Sequence, residues 1–298
     1  MIYLAVDTCV WLELLKTDFN QDDNYFDELI FWIENDYLKL VTTENLITEW
    51  NRNKVSKRDE VLQTFKVRYP QIARMMSTPH PLADYYRPER AAEKITERIN
   101  KIDTILNRKA DKAIQTDDII LEAAKRNLEC IPPNHRKDSF RDTINILTLK
   151  EYVILNGYSN CIFTTINHKD YGDKDPYKVH PGLKSDFISW KMEYVYFDDK
   201  DNFSGTLFTV HLRPHLPSFA DFIRDQKRKE EEARLVRRKL DSASKDHIDP
   251  NYLDYTLKID AIVDAGEKRT KLDDYILEFL FDEHPAYKEY FYRKITRL

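Results

Sequence analysis

Ile2-Tyr3-Leu4-Ala5-Val6-Asp7-Thr8 is an unbroken apolar, β-favouring run that ends on an acid. It lacks polar alternation, the pattern of a short strand covered on both faces, as in a parallel sheet. Trp11-Leu12-Glu13-Leu14-Leu15 follows at once with helical character. In an open α/β sheet, ligands bind outside the carboxyl ends of the strands, so Asp7 stands where chemistry is usually done. Strands ending in aspartate are common, and what matters is whether other acids return to meet this one.

Working outward, Asp22-Asp23-Asn24 reads as a cap for a helix from Tyr25 to Asn35, with Phe26, Leu29, Ile30 and Ile33 at helical spacing. Leu38 to Thr42 is a second short strand, and Thr43 to Lys54 a helix carrying Glu44 in its first turn and Glu49 in its middle. Residues 55–130 are charged and read as a helical insertion, interrupted near Pro70, Pro79-His80-Pro81 and Pro88. Beyond Pro132-Pro133, Thr143 to Leu149 is an apolar helix with Asp142 near its start. Cys161 to Thr165 is a third buried strand, followed by Ile166-Asn167-His168-Lys169-Asp170-Tyr171. Leu183 to Trp190 is a short helix, Tyr194 to Phe197 a fourth strand, and Thr206 to Leu212 a candidate fifth, antiparallel one. Strands alternating with helices predict a three-layer α/β/α sandwich with a central parallel sheet. The expected organisation is one α/β domain over 1–212 and a helical C-terminal extension over 213–298. In the extension, Leu272, Tyr275, Ile276, Phe279 and Leu280 form an apolar stripe.

Of 298 residues, 42 % are apolar and 33 % charged, and only 5 are glycine, a balance that suits a globular, helix-rich protein. The formal net charge is −5, so no global basic field advertises nucleic acid, although 47 Lys and Arg leave room for a local one. Cys9, Cys130 and Cys161 are odd in number and form no Cys-x-x-Cys pair, which argues against a disulfide framework or a zinc ribbon. No basic-then-apolar leader and no run long enough to span a bilayer is present, so a cytoplasmic location without a membrane partner is expected.

Asp7, Glu49, Asp142 and Asp170 thus fall at strand ends or on helices facing one edge. Dispersed carboxylates suit Mg²⁺ or Mn²⁺, and two such ions activate water and stabilise the leaving oxygen in phosphodiester hydrolysis. With 52 Asp and Glu in the chain, each acid alone reads equally as a surface group or a helix cap, Asp142 above all. The order of the motifs adds more. Val6-Asp7-Thr8, Thr48-Glu49-Trp50-Asn51-Arg52-Asn53-Lys54, Lys137-Asp138-Ser139-Phe140-Arg141-Asp142, Phe163 to Tyr171 and His180 to Phe187 together resemble the PIN-domain nucleases over roughly residues 1–200. The likeness is to the PIN-like branch whose last motif reads Thr-x-Asn-x-x-Asp-Tyr/Phe.

That resemblance implies Mg²⁺- or Mn²⁺-dependent hydrolysis of RNA, with Asp7, Glu49 and Asp142 as metal ligands. Most PIN domains carry an aspartate where this chain has Asn167, with its acid displaced to Asp170, so either of the two is a candidate ligand. Thr8 and Thr165 are candidates to orient carboxylates by hydrogen bonds. Arg52, Lys54, Arg141 and Lys169 are placed equally well to meet phosphates or to pair with the acids beside them. His168 reads as an ordinary loop residue, and Trp11 and Trp50 as core. The branch contains toxins and defence effectors, which implies a cell-toxic ribonuclease held in check. The C-terminal helices would then serve self-association or a regulatory partner. Three rival readings remain: a DNA-directed nuclease, a silent RNA- or partner-binding protein, and a haloacid-dehalogenase-type phosphotransferase. Cys9 speaks against the last, which needs an aspartate two residues after the nucleophile.

Overall fold

Strand β1 (Ile2–Val6) is the middle of a five-stranded sheet whose order is β3-β2-β1-β4-β5. The other strands are β2 (Leu38–Thr43), β3 (Asp111–Ala113), β4 (Cys161–Thr165) and β5 (Met192–Tyr196), and every pairing is parallel. The computed structural model describes residues 1–16, 25–75, 87–135, 139–197 and 207–243. The chain divides into two units, Met1–Phe219 and Ala220–Leu298.

Alternation along each strand sends side chains to two separate cores. Leu4 and Val6 of β1, Leu38 and Leu40 of β2 and Val195 of β5 face one side. There they meet α1 (Thr8–Leu14), α2 (Tyr25–Glu34), α3 (Glu44–Met75) and α4 (Pro88–Thr104). Ala5, Val41, Phe163 and Tyr194 face the other side, under α5 (Asp117–Leu128), α6 (Phe140–Leu155) and α8 (Pro181–Ser189). Helix α6 is buried without a break from Thr143 to Leu149, as an apolar helix packed hard on a sheet should be. Its polar members are satisfied internally: Thr148 donates to Ile144 O, and Asn145 accepts from the Thr43 hydroxyl at 2.9 Å. This is the expected α/β/α sandwich.

Several elements differ from expectation for stateable reasons. Thr206 to Leu212 is no strand: Leu207–Leu212 is a π-helix that buries Leu207, Phe208 and Leu212. That spacing, with its ends five residues apart, follows the i→i+5 turn rather than strand alternation. Phe208 packs on Tyr25 with ring centroids 4.8 Å apart, and Arg213 holds buried Glu28 through Nε and Nη2, joining this segment to α2. Helix α3 runs 32 residues, straight through Pro70. The flanking residues Lys66 to Arg68 are exposed, so water can reach the Lys66 carbonyl that proline leaves without a donor. Asp111–Ala113, inside the stretch read as helical, form the β3 edge strand.

Helix α9 (Phe219–Ala243) starts at the last residue of the first unit and is the described part of the second, where all residues from Ala220 to Arg234 but Ile223 are exposed and Arg224–Asp221 and Arg228–Asp225 pair three residues apart. The expected cap at 22–24, the Pro79–Pro81 break and the stripe from Leu272 to Leu280 lie outside the described residues. Among the described residues no helix is long and apolar enough to cross a membrane.

Candidate active site

The order of strands reverses at β1: its successor β2 lies on one side and β4 on the other. Such a switch point opens a crevice at the carboxyl ends of the two diverging strands. Val6 pairs with Thr164, so the next residues, Asp7 and Thr165, meet at the mouth of that crevice. Thr165 Oγ1 donates to Asp7 Oδ2 at 2.5 Å, and Cys9 Sγ donates to the same oxygen at 3.2 Å. The Cys9 sulfur also accepts from the Ile166 amide, and Thr165 Oγ1 from the Asn167 amide at 2.9 Å. One small network thus binds the ends of β1 and β4.

The network continues inward. Asn167 Nδ2 donates to Asp170 Oδ2 at 2.7 Å, and the Ser139 hydroxyl reaches the same atom at 3.4 Å. The Ser139 amide donates to Asn134 Oδ1, and Asn134 Nδ2 donates to Thr143 Oγ1. Asp170 is 1 % exposed, on the short helix α7 (His168–Tyr171), whereas Asp7, Glu49 and Asp142 all keep part of their surface. Asp170 therefore holds the Asn167 loop to the start of α6, and the three half-buried acids line the opening.

Burial and neighbouring charge act on Asp7, Glu49 and Tyr171. Burial pushes the Asp7 carboxyl above its ordinary value, opposed by the Thr165 and Cys9 hydrogen bonds and the Thr8 and Cys9 amides. Burial, and next the Asp7 charge, push Glu49 up as well; Thr8, Arg52 and Arg141 pull it back. The Thr8 hydroxyl that does so also donates to Leu46 O at 3.3 Å. Tyr171 is buried and donates to the Asp142 carbonyl at 3.2 Å. Its phenol is raised well above normal by burial and then by the charges of Asp142, Asp7 and Asp170 in turn. The Asp7 charge thus acts on both Glu49 and Tyr171, those of Asp142 and Asp170 on Tyr171, and exposed Arg52 and Arg141 act on Glu49.

Among the described residues no three His, Cys, Asp or Glu side chains stand close enough to grip an ion directly. The donor set nevertheless fits a hydrated divalent cation. Mg²⁺ binds oxygen, keeps several waters and needs only one or two carboxylates. Asp7, raised by burial, and Glu49, raised by burial and then by the Asp7 charge, are the groups a cation would relieve.

Lys54 does not join this site. Both Asp103 carboxylate oxygens accept from its Nζ at 2.8 Å, and Trp50 Nε1 donates to the same carboxylate at 2.7 Å. The reason is helical period: Arg52 lies three residues from Glu49 and shares its face, whereas Lys54 lies four from Trp50 and shares that one. Asp103→Ala should accordingly leave activity unchanged but destabilise the α3–α4 contact by about 1–2 kcal/mol, since it strands the Trp50 N–H. Urea titration of both proteins checks this. Lys169 is exposed on α7, and the His168 ring stands 5.6 Å from Tyr196, edge to face. The supporting atoms that sequence reasoning passed over are Cys9, Ser139 and Tyr171. Only Cys9 carried a signal, through its place two residues after Asp7.

A family model described as a PIN domain matches residues 4–171, more than half of the chain and all four acids. No curated protein and no solved structure matches.

Proposed function

Because the chain belongs to the PIN-domain family, whose members are generally metal-dependent nucleases, we propose that it hydrolyses phosphodiester bonds in nucleic acid, RNA in preference to DNA. The observation that supports this reading is that Asp7, at the β1/β4 switch point, acts on Glu49 and, with Asp142 and Asp170, on Tyr171, with Arg52 and Arg141 acting on Glu49. The carboxylates of Asp7, Glu49 and Asp142 would hold Mg²⁺ or Mn²⁺. Such a cation supplies Lewis acidity that makes water a nucleophile at neutral pH and stabilises the leaving oxygen.

The chain's own groups do the rest. Thr165 and Cys9 fix the rotamer of Asp7 by donating to one of its oxygens. Asp170, through Asn167, sets the loop that follows β4. Arg52 and Arg141 face Glu49 from two elements and are exposed enough to take phosphate oxygens, so they orient the polymer across the acids. Phosphate contacts of this kind predict a KM that rises with salt.

The decisive experiment incubates purified protein with mixed RNA, single-stranded DNA and duplex DNA, each with Mn²⁺, Mg²⁺ or EDTA. Cutting of RNA that needs metal and stops with EDTA supports the reading. Cutting of DNA alone moves the substrate class, and no cutting by folded protein under any condition favours a binding-only domain. A toxin or defence role is the matching cellular proposal: induced expression should arrest growth, and the Asp7→Asn form should not.

A further inference from the structure

Helix α3 begins at the site and outruns the sheet. Glu49 and Arg52 lie in its second and third turns, yet the helix continues to Met75, 32 residues in all. At about 1.5 Å per residue it is about 48 Å long, whereas the six-residue strand β2 before it spans about 20 Å. Its far half packs on α4: Val61 and Phe65 share a core with Ala91 and Ile95, and Lys54 holds Asp103. α4 in turn keeps pace with α2. Arg98 lies over the Phe26 ring at 4.9 Å, Lys101 meets Asp27 at 3.7 Å, and just past α4 Lys109 meets Asp36 at 3.8 Å. Both helices therefore head for the amino end of β2, which starts at Leu38. α3, antiparallel to α4, heads the other way, towards the side of the carboxyl edge that carries Asp7.

One face of α3 stays open along this length. Arg52, Ser56, Asp59, Gln63 and Lys66 follow one another at steps of three or four, Arg74 lies two such steps further on, and all six are exposed. Charge is spread unevenly along the helix. In the near half the cations are engaged: Lys54 by Asp103, Lys57 by Glu60 at 2.9 Å, and Arg58 by Asp59 at 2.9 Å, which matches the one acid of the stripe. Beyond Glu60 the helix carries Lys66, Arg68 and Arg74 and no acid. Among the described residues no ion pair holds any of the three. The first turns of α4 add Arg87, Arg90 and Lys94 against Glu89 and Glu93, so the far end of the hairpin is basic in a chain of net charge −5. A local basic surface of this kind on an acidic protein draws a polyanion to one place.

From this we infer that Lys66 and Arg74 form a second phosphate-binding site, which holds the nucleic-acid backbone at a distance from the cut and is reached along the α3 stripe that starts at Arg52. The inference rests on the nuclease reading above. Along the helix, Lys66 is about 21 Å and Arg74 about 33 Å from Arg52. At the rise of about 3.4 Å per nucleotide of a stacked strand, these distances correspond to about six and about ten nucleotides, fewer if the strand is extended. A strand that ends sooner does not reach the second site. Bonds to phosphate carry no sequence information, so this site selects length, and the acids act on the phosphate that is cut.

The test uses the full chain and one mapped cleavage site in RNA (or DNA, if the substrate panel returns DNA), with each flank of the cut lengthened in turn. KM should fall by about tenfold as one flank grows from about two to about ten nucleotides, and should change little beyond that. Lys66→Ala/Arg74→Ala should raise KM on the long strand by about tenfold and leave the short strand as it was. On the long strand, the slope of log KM against log salt should become shallower by about 1.5, for two lost phosphate contacts. The melting temperature should not move, because both side chains stand in water. Lys66→Arg/Arg74→Lys should restore the parent behaviour. A mere loss of net charge would weaken long and short strands alike. A KM indifferent to flank length, or an equal loss on both strands, overturns the second site and leaves the nuclease standing. Cleavage that persists in Asp7→Asn, or none by folded protein, overturns the nuclease reading and the second site with it.

Discussion

Asp7→Asn should lower kcat for nucleic-acid cleavage by about 10³-fold or more, about 4 kcal/mol of transition-state stabilisation, and should leave the melting temperature equal or higher. The first effect follows from charge: asparagine keeps the shape and an oxygen for the Thr165 hydroxyl but cannot neutralise a cation. The second follows from linkage. Burial raises the Asp7 pKa above 3.8, so the folded chain holds this proton over a range where the unfolded chain has released it. The stability that the protonated acid confers is full below the ordinary value and is lost as pH rises through the folded one. At neutral pH the ionised carboxylate is a burden on the fold, and asparagine removes it. A variant that is both inactive and strongly destabilised would show that Asp7 is structural. One that is active would remove it from the site.

The second large effect couples metal to pH. Glu49 is shifted in the same direction from 4.5 by burial and by Asp7, so metal-free protein should lose stability from both acids as pH climbs from about 4 towards neutrality. A cation held by ionised acids opposes that loss. Mn²⁺ at about one hundred times its Kd adds about 2.7 kcal/mol, which shifts the melting temperature of a domain of this size by about 5–10 °C. The gain should be present at pH 7, shrink at pH 5 as protons compete for the same oxygens, and vanish in Asp7→Asn/Asp142→Asn. Calorimetric scans with and without EDTA at the two pH values read it directly. A wild-type melting temperature indifferent to Mn²⁺ and Mg²⁺ at pH 7 would take the metal site out of the proposal.

Much of the frame is legible in the sequence because burial on both faces writes continuous apolar runs. β1 and β4 are of that kind, and β2 and β5 interrupt theirs with one charged residue each, Lys39 and Glu193. β3 is not, because an edge strand of three residues needs no such run. Its Asp111 instead takes a hydrogen bond from Tyr152 at 2.9 Å. The stretch 207–212 misleads in the opposite direction: Leu-Phe-Thr-Val-His-Leu has strand composition, but the burial spacing that marks a π-helix depends on partners in α2. Motif order singled out Asp7, Glu49, Asp142 and Asp170, and the charge of Asp7 acts on Glu49 while those of Asp7, Asp142 and Asp170 act on Tyr171. What stayed illegible is which of them looks outward. Asp170 is enclosed by Ser139, 31 positions away, and by Asn167, three positions away, and no local pattern encodes both bonds. Lys54 shows the converse, since sequence proximity to Glu49 placed it one helical face away.

The strand order also sets a timetable. β1 finds β2 within its first 43 residues, but the Thr165 hydroxyl that seats Asp7 lies 158 positions further along the chain. Contacts so distant are made slowly and after nearer ones. Asp7 therefore stays without its Thr165 partner until β4 has joined the sheet. A site built this way is among the last parts of the sheet to be completed, because its two halves lie so far apart along the chain.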